Sequence, residues 1–292
     1  MISIVITAFK EPKTIATCIE SVIKQKINEK YELIISAPDE KTLEIAKKYA
    51  KKNKKIKIIQ DSGKGKYNAI NKLLPLLKGK LFVFMDGDVH ISQNSINELL
   101  KKFEDPKVGY VSGRPFPQEN KSTKYGFWAN FLFESAHLLR AKSYRKGLFF
   151  EGTGYLCAYK KGVISKLPSN VADDVIVPSI FWKKGFKISY ADKAFVFVKN
   201  VDNKKDWFKQ KIRTTKSHES INRYFKIPRK KTFLNEAKGA IHLFKYPQSI
   251  KEVLWVIELI IARLQMWGRV FFDTKIKKEG HRDAWERIES TK

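Results

Sequence analysis

Two pairs of carboxylates carry the strongest chemical signal in the sequence. Asp86 and Asp88, separated by Gly87, close the apolar run KLFVFM at 80–85. Two carboxylates at i and i+2 past a strand can hold one hard divalent cation against a diphosphate. Mg2+ and Mn2+ prefer oxygen ligands and often take one or two carboxylates plus substrate phosphates. Asp-Gly is also a favoured turn dipeptide, so a plain turn is the alternative. Asp173 and Asp174 precede VIVPSIF, where a helix is expected to start. Acids there either stabilise the helix N-terminus or offer a general base to an acceptor hydroxyl. Gly63-Lys64-Gly65 resembles a phosphate cradle without the Walker spacing, and a flexible turn fits it equally. Gln210 and Arg213, in QKIRTT, lie one helical turn apart. The arginine could grip a diphosphate bidentately, or the helix could simply be basic and solvated.

The elements that must position these groups alternate between strand and helix. ISIVITAF at 2–9 reads as a buried strand, followed by helical spacing of Ile15, Cys18, Ile19, Val22 and Ile23. YELIISA at 31–37, KIKIIQD at 55–61 and KLFVFMDGD at 80–88 read as further strands, with helices over 41–52 and 66–77 between them. Repeated β-α units imply an α/β fold, a mostly parallel sheet with right-handed crossovers and helices on both faces. Ligands bind such sheets beyond the carboxyl ends of the strands. Just past the four strand ends stand Lys10 and Glu11, Pro38 and Asp39, the stretch 61–66, and Asp86 to Asp88. Each contains an acid, which points to one polar site along that edge. Beyond it, 91–105 reads as a helix, VGYVSGRP as a strand leaving the core, and 122–141 as an aromatic-rich amphipathic helix. The segment 148–161 is strand-like, and 171–198 reads as helix, turn, strand, strand. His137 is expected in the core, with an acceptor-facing role as the alternative.

Composition narrows the class. A chain of 292 residues with 43% hydrophobic and 13% aromatic residues can bury a real core. Cys18 and Cys157 lie far apart, which suits a reducing compartment and excludes a disulfide framework or cysteine-rich zinc site. Met1 runs straight into a β-branched segment with no basic leader, and no uncharged stretch of ~18 or more residues is present. A cytoplasmic protein without an ordinary spanning helix is therefore expected. The net charge of +28 fits nucleic acid, a phosphorylated substrate or an acidic membrane surface. It also fits lysines spread over solvated helix faces, as in KKYAKKNKKIK at 47–57. Nucleic-acid binding would cluster basic residues with aromatics along one groove. Here the lysines are dispersed and the acids sit at strand ends, so no nucleic acid partner is expected.

The segment 251–273 is amphipathic on a helical wheel. Val253, Val256, Ile257, Ile260, Ile261, Leu264, Trp267 and Phe271 share one face; Glu252, Glu258, Arg263, Gln265 and Arg269 share the other. That apolar face is expected either to pack on the rest of the protein or to rest on lipid, helped by the basic run IPRKKT at 227–232.

Taken in order, the motifs resemble glycosyltransferase family 2 enzymes of the GT-A fold over roughly the first 215 positions. The opening strand ending TAFKE resembles that family's strand and loop at the nucleoside, carried by Thr7, Ala8 and Glu11. Asp39 in SAPDEKT falls where members hold the base or ribose, and Asp61 and Lys64 lie on the same donor side. GKGKYNAIN is similar to the family's G-x-x-x-A-x-N run through Gly65, Ala69 and Asn71. Asp86-Gly87-Asp88 matches the DXD motif, and EGTGYLCAYKK, with Gly152, Thr153 and Gly154, resembles the acceptor-side strand. ADDVIVPSIFWKKGFKISY resembles the block whose second acid is the catalytic base, here Asp174 beside Asp173. QKIRTT is similar to QxxRW, with Thr214 in place of tryptophan, a departure that puts polymerising activity in doubt.

The resemblance implies a catalytic region at 1–215, with a nucleotide-sugar half at 1–100 and an acceptor half at 101–215, and a basic helical region at 216–292. It further implies an inverting, Mg2+- or Mn2+-dependent sugar transfer from a UDP- or GDP-sugar. The acceptor would be a hydroxyl or phosphate, on a lipid-linked molecule if the protein contacts the membrane. A nucleotidyltransferase is the nearest enzymatic alternative, since it too sets metal-binding carboxylates at strand ends but takes a triphosphate donor.

Overall fold

The computed structural model describes residues 1–169, 172–220, 246–277 and 291. Eight strands form one sheet in the order β3-β2-β1-β4-β7-β6-β8-β5. β1 (Ile2–Thr7), β2 (Tyr31–Ala37), β3 (Ile56–Gln60) and β4 (Leu81–Asp86) run parallel, with α1 (Ile15–Ile23), α2 (Glu40–Lys52) and α3 (Lys66–Leu73) between them. β1 is apolar at nearly every position because both faces of the sheet are covered. Ile2, Ile4 and Ile6 pack with Ile15, Cys18, Ile19 and Val22 of α1. Val5 points to the opposite face, among Ile70 and Leu73 of α3. The helix expected over 66–77 closes at Leu73 and continues as a 3-10 turn at Leu74–Leu76, where Pro75 removes a backbone donor.

The second half adds antiparallel pairings to the mostly parallel sheet. β7 (Leu156–Lys160) runs antiparallel between β4 and β6 (Val108–Pro117), and β5 (Val89–Ile91) runs antiparallel to β8 (Lys187–Val198). The sheet is therefore mixed. VGYVSGRP does not leave the core: β6 lies inside the sheet, with Tyr110 fully buried and stacked near Tyr159. Of the strand-like 148–161, only the last five residues before Lys161 pair as a strand. The two strands expected before 198 are one, with its pairing to β6 interrupted between Tyr190 and Phe195.

α4 (Ser95–Lys101), α5 (Lys124–Arg145), α6 (Asp173–Lys183) and α7 (Lys204–Ser220) complete the layers, and α8 (Ile250–Phe271) packs on α5 and α7. Leu259, Ala262, Met266 and Val270 of α8 are buried with Phe127, Trp128, Phe131 and Trp207. The Trp128 indole N–H donates to the Trp255 carbonyl at 2.7 Å. The buried stripe is thus not the face the wheel singled out. Val253, Ile257, Ile260, Ile261, Leu264 and Phe271 are exposed, whereas Trp255, Val256 and Trp267 lean against the protein cluster. Both sides of α8 are apolar, and a wheel cannot say which meets the protein. The basic run 227–232 lies outside the described residues. Among the described residues, no helix is long and apolar enough to cross a membrane.

Candidate active site

The ends of β1 and β4 are flush, with Thr7 paired to Asp86. The Gly87 N–H donates to the Thr7 carbonyl at 2.8 Å. A Cβ on Gly87 would stand 2.5 Å from that of Ala8, so the two chain ends approach this closely only with glycine there. Thr7, Ala8 and Glu11 are all buried. The Thr14 hydroxyl lies within hydrogen-bond distance of the Glu11 carboxylate (3.2 Å) and the Gly87 carbonyl (3.1 Å), tying the two loops together.

The other strand-end acids shape the rim. Asp39 caps α2 by accepting from the Thr42 N–H and hydroxyl, and its second oxygen accepts from the Lys10 N–H at 2.8 Å. Asp61 accepts from the Ser36 hydroxyl and the Gly63 N–H, each at 2.8 Å. Gly65 turns the chain into α3 at φ 100, a conformation glycine adopts without strain, and Lys64 is exposed beside it. Asn71, expected on the donor side, lies on α3. Its amide accepts from the Leu167 N–H at 2.7 Å and donates to the Leu167 carbonyl at 2.9 Å. It therefore clamps α3 to the loop after β7.

Lys66, the first residue of α3, brings the two acidic pairs together. Its ammonium lies 2.7 Å from Asp86 Oδ1 and 2.8 Å from Asp173 Oδ2, and donates to the Gly154 carbonyl at 3.1 Å. The segment before β7 completes the site. The Asp86 N–H donates to the Tyr155 carbonyl at 3.4 Å, and the Gly152 N–H to the Asp174 carbonyl at 2.9 Å. Arg140 of α5 donates to the carbonyls of Glu151 and Gly152. Thr153 is buried, its hydroxyl accepting from the Tyr155 N–H. Any side chain on Gly154 would crowd Lys66 Nζ, 3.2 Å from an added Cβ.

Charge is concentrated here. Burial pulls the Lys66 ammonium down, but Asp173 and Asp86 together outweigh it and hold the group well above the usual lysine range. Burial, then Asp88 and Asp173, push the Asp86 carboxyl up to about 7 against the opposing pull of Lys66. Its side chain still keeps 22% of its exposure, so a ligand can reach it. The Tyr155 hydroxyl is held up by burial, then by Asp88, Asp86 and Asp174, with Arg213 opposing. Arg213 of α7 thus shares the field of all three acids. Its neighbour Gln210 accepts from the Thr214 hydroxyl through its carbonyl at 3.0 Å. Cys18 donates to the Asp86 carbonyl from beneath, and Cys157 lies near Asp173 and Lys66. Burial raises both thiols, Cys157 to about 12, so neither offers a thiolate nucleophile.

Sequence reasoning missed Lys66, Arg140 and Tyr155. Only Lys66 carried a signal, as a lysine directly after a glycine turn at a helix start. His137 is half-buried and pairs with the buried Tyr190 hydroxyl at 2.9 Å. A separate cavity of about 360 Å³ lies against the end of β6 and α5, lined in part by Arg114, Phe116, Phe133 and Tyr246.

Among the described residues, no group of three or more His, Cys, Asp or Glu side chains forms a ready-made metal cage. Two carboxylates, the part-buried Asp86 and Asp88, stand as a set at the end of β4. That set fits Mg2+ or Mn2+ if a diphosphate supplies further oxygens.

Comparison with known proteins agrees with this geometry. The family described as Glycosyl transferase family 2 matches residues 3–167. The chain belongs to that family. It is 22% identical over 269 residues to poly-beta-1,6-N-acetyl-D-glucosamine synthase of Staphylococcus aureus. The match covers 89% of the chain and 63% of that relative, so the chain spans less than two thirds of its length. It is 24% identical over 127 residues to the uncharacterized glycosyltransferase EpsJ of Bacillus subtilis, across 43% of the chain and 37% of EpsJ. In three dimensions it is similar to residues 1–349 of S. aureus TarS, crystallised with UDP-GlcNAc. That likeness has a TM-score of 0.52 at 14% identity, covering 93% of the chain and 80% of the TarS chain, and it supports the GT-A fold.

Proposed function

We propose that this glycosyltransferase moves a sugar from a UDP-sugar to an acceptor hydroxyl or phosphate with inversion, and that a divalent cation is required. The observation that carries the reading is the meeting of Asp86, Asp88, Asp173 and Asp174 at one sheet edge, beside the loop of Gly152, Thr153 and Gly154. The similarity to TarS, whose structure holds UDP-GlcNAc, favours uridine over guanosine.

In this reading the rim of Thr7, Ala8, Glu11, Asp39 and Asp61 receives the nucleoside. Asp88, with Asp86 beside it, would hold Mg2+ or Mn2+, whose charge would offset that of the departing diphosphate. Arg213 faces the same diphosphate. Asp173 is engaged by Lys66, and Asp174, the second acid of the pair, is the base. Its carboxylate takes the proton of an acceptor hydroxyl as that oxygen bonds to the anomeric carbon. The bond from that carbon to the diphosphate breaks, and the nucleoside diphosphate leaves with the electron pair. Positioning and fixed charge supply most of the acceleration.

The test is thermal stabilisation by UDP, GDP and other nucleoside diphosphates, each with and without Mn2+. Stabilisation by UDP that needs Mn2+ is expected; indifference to every nucleotide would contradict the reading. The cation effect should also depend on pH. With its folded value raised, Asp86 stabilises the metal-free fold at low pH, and that contribution is lost as pH rises from its unfolded value of 3.8 through about 7. Protons and Mn2+ therefore compete, and the Mn2+-induced shift in Tm should be larger at pH 8 than at pH 6. A shift equal at both pH values would exclude Asp86 as a participant.

The outward face of α8 supports peripheral contact with the cytoplasmic face of a membrane and hence a lipid-linked acceptor. Val253, Leu254, Ile257, Ile260, Ile261 and Leu264 form an exposed apolar stripe. The chain's charge of +28 opposes self-association and favours an anionic surface, where each nearby basic residue adds ~1 kcal/mol of attraction. The intact chain should co-sediment with anionic liposomes at low salt, and Ile260→Glu/Leu264→Glu should release it. Binding that survives the double substitution would place the attraction in the basic surface instead.

A further inference from the structure

Lys66 has a role that the acids alone do not explain. Its side chain is 11% exposed. Its three ammonium protons meet three acceptors from separate parts of the chain: Asp86 at the end of β4, Asp173 at the start of α6, and the Gly154 carbonyl before β7. Three donors with three acceptors at 2.7–3.1 Å leave the ammonium fully satisfied. It takes one acid from each pair.

We propose that Lys66 is a built-in cation of this site, a positioning residue that ties one acid of each pair to a common point. It fixes Asp86 and Asp173 in one place, the first of them within the proposed metal site. It also pins the acceptor-side loop to the donor-side strand, so the reacting groups of both substrates are fixed to one point. The inference rests on the proposed metal-dependent transfer and adds an antagonism to it. A lysine ammonium beside Asp86 repels an incoming Mn2+, so the lysine limits metal affinity while supporting turnover.

That antagonism separates positioning from simple structural support. Lys66→Met removes the positive charge and leaves Asp86 and Asp173 facing each other. Near-neighbour charges in a partly buried site interact strongly, so Mn2+ should bind roughly 10-fold or more tightly to Lys66→Met than to the unaltered protein, without nucleotide. Turnover should fall ~100-fold or more, because the carboxylates and the Gly154 loop lose their common anchor. A residue that merely stabilised the fold would leave metal affinity unchanged or weaken it when removed.

The experiment is calorimetric titration of the full chain with Mn2+ alone at pH 8, alongside steady-state kinetics with UDP-GlcNAc. Lys66→Gln keeps a donor for the Gly154 carbonyl but carries no charge, and serves as the neutral variant if Lys66→Met does not fold. Lys66→Arg keeps the charge and should keep the original Mn2+ affinity. Tighter Mn2+ binding in a neutral variant, together with lower turnover, supports the proposal. Mn2+ that binds the unaltered protein but no neutral variant more tightly overturns the role of Lys66 alone. No Mn2+ binding by any of the proteins overturns the metal-dependent reading and this inference with it.

Discussion

Asp174→Asn is expected to remove turnover while leaving UDP-sugar binding nearly intact. The carboxylate lies at the first turn of α6, and its own backbone carbonyl is fastened to Gly152 of the acceptor-side loop. An amide of the same shape keeps that frame but cannot take a proton. Loss of a general base costs ~10²–10⁴-fold in rate. Asp173→Asn should behave differently. It removes one of the two carboxylates on Lys66, so it should disturb the fold and metal response as well as the rate. Kinetics and nucleotide titrations on the two variants separate these cases. An active Asp174→Asn beside a dead but well-folded Asp173→Asn would reverse the assignment within the pair.

Asp88→Ala should abolish transfer, and EDTA should do the same to the unaltered protein, reversibly on adding Mn2+. Asp88 follows the turn that Gly87 makes against Ala8, a geometry that depends on backbone packing and not on the carboxylate. The variant should therefore fold, and its stability should no longer respond to Mn2+ in the presence of UDP. Full activity after exhaustive chelation would remove the metal from the mechanism.

The parallel half of the fold was legible because β1, β2 and β4 are apolar runs buried on both faces, each ending in a polar loop. Asp86, Asp88 and the two adjacent acids of α6 stood out for a related reason, since they abut apolar runs. The second half was harder to read. The apolar residues of 148–155 serve a loop that lies against Asp86 and α6, so their pattern resembles a strand without pairing as one. The pairing of β7 between β4 and β6 leaves no periodic mark in the sequence. Lys66 was hidden among 58 basic residues, and only folding brings Asp86, Asp173 and Gly154 around it. Asn71 likewise has a pairing that only folding reveals, its amide bonding both backbone groups of Leu167. On α8 the amphipathic pattern was clear, but the protein took the stripe of Leu259, Ala262, Met266 and Val270 and left the stronger one outside.

The central claim is inverting transfer from a uridine-diphosphate sugar beside Tyr155, whose hydroxyl feels both Asp88 and Asp174. It can be tested without knowing the acceptor, because water is a slow substitute for it. Proton NMR would follow UDP-GlcNAc, an α-linked donor, with the full chain and Mn2+, and record the first-formed anomer of the released sugar before it equilibrates. The account expects UDP release that requires Mn2+, a sugar that appears first as the β-anomer, and loss of both with Asp174→Asn. Release of the α-anomer first, or release that persists in the Asp174→Asn protein, would contradict it.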